Sequence, residues 1–142
     1  MALARALCGD VEVAYETFGS PHDPTIMLIM GLGTQMIAWD ERFCALLVGE
    51  GFRVVRFDNR DTGLSTHLHD AGMPDLSPIL TGGTITESPY RLADMADDVL
   101  GLCDALEVDR AHIVGASMGG MIAQEFALRH TARTGSLTSV FS

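Results

Sequence analysis

The chain has 142 residues, of which 47% are hydrophobic, with 15 Gly and 5 Pro. This is the composition of one globular domain and excludes a disordered tail, a collagen-like repeat and a coiled coil. The formal net charge of −10 opposes a phosphate backbone, so nucleic acid is not an expected partner. All nine basic residues are Arg. Without Lys there is no Walker-type phosphate loop, no Schiff-base amine and no Ser–Lys dyad. Cys8, Cys44 and Cys103 are odd in number and widely spaced. That pattern fits buried reduced thiols rather than a disulfide framework or a zinc site. The apolar run in the first ten residues is too short for a signal peptide, and no run approaches the roughly 20 apolar residues of a membrane span. A soluble, cytoplasmic protein is expected.

In chain order, residues 5–8 and 11–18 flank Gly9-Asp10 and form a predicted hairpin. Val11, Val13 and Tyr15 alternate with Glu12 and Glu16, as in a half-exposed strand. Residues 25–30 are continuously apolar, as in a strand buried on both faces, and lead into Gly31-Leu32-Gly33. A helix is expected over residues 37–47. Ile37, Phe43, Leu46 and Leu47 would share its inner face, and Gly49 and Gly51 would end it. Residues 53–57 form the next strand. Residues 58–89 are polar and rich in Gly, Thr and Pro, a loop long enough to suggest function. Ser88-Pro89 is a helix-opening pair, and Leu92, Met95, Ala96, Val99, Cys103 and Leu106 follow the helical period. Residues 111–114 form another buried strand, a helix spans about 118–130, and a strand covers 137–141. Strands alternating with helices predict an α/β fold with a mostly parallel sheet.

Gly115-Ala116-Ser117-Met118-Gly119 fits G-x-S-x-G between a predicted buried strand and a predicted helix, the context that gives the motif meaning. A bend this tight requires small residues at Gly115 and Gly119 and projects Ser117 above the sheet. The N–H of Met118 then sits at the positive end of a helix, where a developing oxyanion is favoured. The alternative is a glycine-rich turn with an incidental Ser. The Gly31-Leu32-Gly33 bend can supply a second donor, the N–H of Leu32. Gly31-x-Gly33 followed by Asp58 also has roughly the spacing of a dinucleotide-binding loop. However, Met36 occupies the third small position and would block close helix–strand packing.

These residues resemble the N-terminal half of an α/β-hydrolase, closest to the esterase group that includes aclacinomycin methylesterase. The resemblance rests on Met30-Gly31 with Trp39 and Phe43. It extends through Arg56-Phe57-Asp58-Asn59-Arg60-Asp61-Thr62-Gly63-Leu64-Ser65 and from Val108 to Gly119. It implies Ser117 as nucleophile, Leu32 and Met118 as backbone oxyanion donors, and acyl transfer to water from a small ester-like substrate without a cofactor. A Ser at the bend, rather than Asp, argues against the dehalogenase and epoxide hydrolase branches. Met30 departs from the family, in which many members place His there.

The family's acid and His follow the nucleophile in the chain, yet only 25 residues follow Ser117. His130 lies about 20 Å away along the helix, Glu125 is mid-helix, and His112 is about 16 Å away along the strand. His67 and His69 sit on the long loop with nothing to orient them. The expectation is therefore one incomplete domain, 1–142, lacking later strands, cap, acid and His, and inactive alone. Its last strand would leave an apolar edge prone to self-association. A non-catalytic binding or regulatory module on the same scaffold is the alternative. Thr66-His67-Leu68-His69-Asp70 approaches a metal motif but lacks a ligand set, so no metal is expected. Asp58 and Arg60 are placed either at the site entrance or in a loop-bracing ion pair.

Overall fold

The computed structural model describes residues 3–31, 33–67 and 91–142. Among these, the elements are β1 (Ala4–Cys8), β2 (Val11–Phe18), β3 (Thr25–Ile29), α1 (Glu41–Gly49), β4 (Arg53–Phe57), α2 (Leu92–Ala105), β5 (Ala111–Ala116), α3 (Met118–Arg129) and β6 (Thr134–Val140). They build a six-stranded sheet in the order β1-β2-β4-β3-β5-β6. The β1–β2 and β2–β4 pairs are antiparallel, and β4–β3, β3–β5 and β5–β6 are parallel. The expected α/β fold and initial hairpin are both present.

Every residue of β3 is buried, because helices lie on both sides of the sheet centre. Met27 and Ile29 join Val55, Phe57 and Ile113 against Met95, Val99 and Leu102 of α2 and Ile122 and Phe126 of α3. Ile26 and Leu28 face the opposite side with Phe18, Val54 and Cys44 of α1. The two-residue period of the strand thus feeds two separate cores.

The helix expected over 37–47 is broken. Met36–Ala38 form one 3₁₀ turn, and α1 begins only after Asp40, whose side chain accepts from the N–H of Arg42. A capping carboxylate outcompetes continuation of the helix at that point. The new phase also changes the buried face. Cys44 is buried, whereas Ile37 and Leu46 are 64% and 71% exposed. The last strand starts at Thr134, earlier than expected. Ser88 and Pro89 lie outside the described residues; α2 itself starts at Leu92, with the Asp94 carboxylate accepting from the N–H of Arg91.

All three cysteines are free and buried. Burial pushes the Cys8 thiol up to about 11 and the Cys103 thiol up to about 12, which keeps both protonated and unreactive at neutral pH.

Two buried ion pairs tie the elements together. Arg56 of β4 bonds Glu16 of β2 at 3.0 Å, directly across the strands, and donates to the carbonyl of Trp39 at 2.6 Å. Arg60 forks onto Asp98 of α2 at 2.7 and 2.8 Å. Burial raises the Asp98 carboxyl above its usual range, and the Arg60 guanidinium opposes that rise. Replacing Arg60 by Met should leave a buried carboxylate without this cation and cost about 3–5 kcal/mol at neutral pH. A carboxyl whose folded pKa is raised contributes stability at low pH that is lost as pH rises through it. The deficit in urea unfolding should therefore shrink as pH falls and the Asp98 carboxyl protonates. A pH-independent deficit would contradict this account.

Candidate active site

Ser117 connects β5 to α3 with φ 56° and ψ −125°, a conformation that a non-glycine residue adopts only under constraint. The constraint comes from backbones on either side. A Cβ on Gly115 would collide with the carbonyl of Gly119, and one on Gly119 would collide with the carbonyl of Ile29 in β3. The start of α3 is thereby pressed against the ends of two strands, and residue 117 must take the bend. The Ser117 N–H donates to the carbonyl of Val140 in β6 at 2.8 Å, and its carbonyl accepts from Gly120 at 2.9 Å. Its side chain makes no helix-capping bond and is exposed, so Oγ is uncommitted at the top of the sheet.

The bend after β3 meets this serine. A Cβ on Gly31 would lie 3.2 Å from Ser117 Cβ and 3.6 Å from its Oγ, so only a glycine backbone fits here without displacing its neighbour. Gly33 follows with φ +67°, which favours glycine for a different reason. Leu32, between them, lies outside the described residues. Met118 is the first residue of α3, and its N–H belongs to the group of helix-start donors without an intrahelical acceptor.

Two buried side chains that the motifs do not reveal hold the bend. Asn59 donates from Nδ2 to the carbonyl of Met30 at 2.8 Å. Asp58 accepts from the N–H of Met36 at 2.7 Å and from the N–H of Leu64 at 3.0 Å. The bracing expected of Asp58 thus runs through backbone amides, while Arg60 grips Asp98. Both Asp58 oxygens are committed to these amides, which opposes the dinucleotide reading, where that carboxylate would face a ribose. Ser65 completes the brace, donating to the carbonyl of Asp58 and accepting from the N–H of Ala14.

None of the described histidines is brought to Ser117. His67 bonds the carbonyl of Gly63 on a loop anchored to β2 through Thr66 and Glu12, three strand spacings or about 14 Å from β5. His112 bonds Ser136 at 2.7 Å, and His130 bonds Asp97 at 2.9 Å. His69 and Asp70 lie outside the described residues. Among the described residues no cluster of three or more metal-ligating side chains occurs. No described helix is long and apolar enough to cross a membrane.

Comparison with known proteins gives the family of the fold. Residues 24–142 match the family model for the alpha/beta hydrolase fold. The chain belongs to that family. It is 33% identical over 129 residues to the rhodomycin D methylesterase DnrP of Streptomyces peucetius, covering 91% of this chain and 38% of the relative. Among solved structures, a hydrolase from Pseudomonas aeruginosa PA01 superposes with a TM-score of 0.74 at 34% identity, covering 95% of this chain and 44% of that one. An enol-lactonase from Burkholderia xenovorans LB400 gives 0.71 at 32% identity, covering 92% and 44%. The chain therefore spans less than half the length of each of these relatives, and the methylesterase among them accords with the esterase resemblance.

Strain at residue 117 is measurable. Ser117→Gly should relieve a backbone cost of roughly 1–3 kcal/mol and lose about 0.5–1 kcal/mol to glycine's larger unfolded-state entropy. A net gain of about 1 kcal/mol in urea unfolding is expected, with almost no change for Ser117→Ala. A Ser117→Gly variant less stable than Ser117→Ala by about 0.5–1 kcal/mol, the glycine entropy cost alone, would show that the bend carries no strain.

Proposed function

We propose that this chain carries the nucleophile half of a serine esterase. The carrying observation is the uncommitted Ser117 Oγ, held at positive φ against Gly31. In this reading Oγ attacks the carbonyl carbon of a small ester. The C–O double bond opens to an oxyanion held by the N–H groups of Met118 and Leu32. Collapse expels the alcohol and leaves an acyl-enzyme, which water then cleaves. Each turn needs a base to take the Oγ proton and return it to the leaving alcohol.

No described side chain occupies that place; in this reading the base and its orienting acid follow the nucleophile in the order the family uses. The chain alone is then inactive. The methylesterase relative and the enol-lactonase fold neighbour both support carboxylic-ester chemistry. The buried thiols are consistent with a reducing, cytoplasmic setting. A non-catalytic module on the same scaffold is the competing reading, favoured only by the absence of a base beside Ser117 among the described residues.

A fluorophosphonate probe should leave Ser117 unlabelled in the isolated chain. In a fusion to the remaining portion of the methylesterase it should label Ser117 and restore ester hydrolysis, which Ser117→Ala abolishes. Hydrolysis that survives Ser117→Ala would end the nucleophile assignment. The isolated chain should also self-associate through the exposed β6 edge, giving dimers or larger species by light scattering at micromolar concentration. A clean monomer would contradict that.

A further inference from the structure

The glycine that close packing demands at position 31 is also the loosest joint of the bend. A Cβ there would lie 3.2 Å from Ser117 Cβ, so the position is confined to the residue with the widest choice of torsions. The peptide between Met30 and Gly31 turns over by a paired change in the Met30 ψ and the Gly31 φ. Met tolerates either ψ basin, and glycine tolerates either sign of φ. Turning over exchanges the places of the Met30 oxygen and the Gly31 N–H, and reverses a dipole of about 3.5 D beside the serine. The next peptide carries the N–H of Leu32, so the torsions of residue 31 also aim that donor.

Two hydrogen bonds oppose this freedom. The Gly31 carbonyl accepts from the N–H of Thr34 at 3.3 Å, a long bond inside the bend itself. The Met30 carbonyl accepts from Asn59 Nδ2 at 2.8 Å, across to the segment after β4, and Asn59 is 4% exposed. The same Met30 oxygen lies 2.8 Å from where a Cβ on Gly119 would stand, so it is held between the Asn59 amide and the first turn of α3. Successive residues after β4 thus meet the bend with opposite chemistry. Asp58 accepts from an N–H, and Asn59 donates to a carbonyl.

We infer that Asn59 is a positioning residue for the oxyanion bend, its amide locking the Met30–Gly31 peptide in the one orientation the site uses. The inference rests on the nucleophile reading above and names the group that keeps the donors of that site aimed. Asn59 acts through the Met30 carbonyl and touches no reacting atom. Loss of its amide therefore weakens the tetrahedral state more than substrate binding, so kcat falls while KM holds.

The sequence offers a direct test. Met is followed by Gly only at Met30-Gly31 and Met118-Gly119. Labelling the 142-residue chain with ¹³C-carbonyl Met and ¹⁵N-Gly therefore gives two coupled amide signals, one from the locked peptide and one from the helix start across the site. Asn59→Leu, similar in size and without a donor, should shift or split the 30–31 signal and leave the 118–119 signal in place. In the fusion to the remaining portion of the methylesterase, the same variant should lower kcat by about tenfold or more with KM held within about twofold. A trifluoromethyl ketone, which the serine converts to a tetrahedral oxyanion, should bind more weakly by the same factor. Asn59→Ala gives the same readouts should the leucine variant fail to fold. An unmoved 30–31 signal overturns the proposal whatever the fusion does. Equal movement of both signals, or a moved 30–31 signal with kcat unchanged, overturns it too, because Asn59 then serves packing alone. Hydrolysis that survives Ser117→Ala while the 30–31 signal still moves keeps the lock and removes the nucleophile reading.

Discussion

Three backbones meet in this molecule with no side chain between them. The carbonyl of Ile29 at the end of β3 lies against Gly119, and the carbonyl of Gly119 lies against Gly115 at the end of β5. Any Cβ at either glycine would push the first turn of α3 away from the sheet. Because that turn cannot move outward, the link between strand and helix has one residue in which to reverse, and that residue is Ser117. Its positive φ, its exposed hydroxyl and the helix start at Met118 all follow from this crossing. The chemistry proposed for the site depends on a packing constraint made almost entirely of main chain.

The second support is electrostatic and lies one loop away. Buried Asp58 and Asn59 carry no apolar surface to the core, and they remain buried because backbone groups satisfy them. Their partners are the two ends of the bend facing Ser117, Met30 and Met36. A buried polar side chain that loses such a partner is costly, so the bend is held by the penalty of leaving it as much as by the bonds themselves. Arg56 does the same for Trp39, with one guanidinium serving the β2–β4 pair and the turn that follows β3.

Much of this was legible in the sequence. The continuous apolar run of β3 predicts a strand buried on both faces, and the glycine spacing around Ser117 predicts the bend. The alternation in β2 predicts the burial of Val11 and Val13 but not the partial burial of Glu16, which pairs with Arg56. The break at Asp40 is not visible in the periodicity, because residues 37–47 do contain a helical apolar period and one capping carboxylate resets its phase. The roles of Asp58 and Asn59 were equally hidden. Their segment carried the family resemblance, but a residue that bonds a main-chain group leaves no complementary letter elsewhere in the sequence. The pairing of Arg60 with buried Asp98 is hidden as well, since periodicity does not show which loop will cross a helix.

Asp58 joins the Met36 and Leu64 amides through a single carboxylate. The two loops are consequently one mechanical part, although more than twenty residues separate their anchor points along the chain. Transplanting the glycine bend onto another sheet would carry its outline without the clasp that fixes its angle. For anyone borrowing this scaffold, the unit to move is the pair of loops with their shared acid.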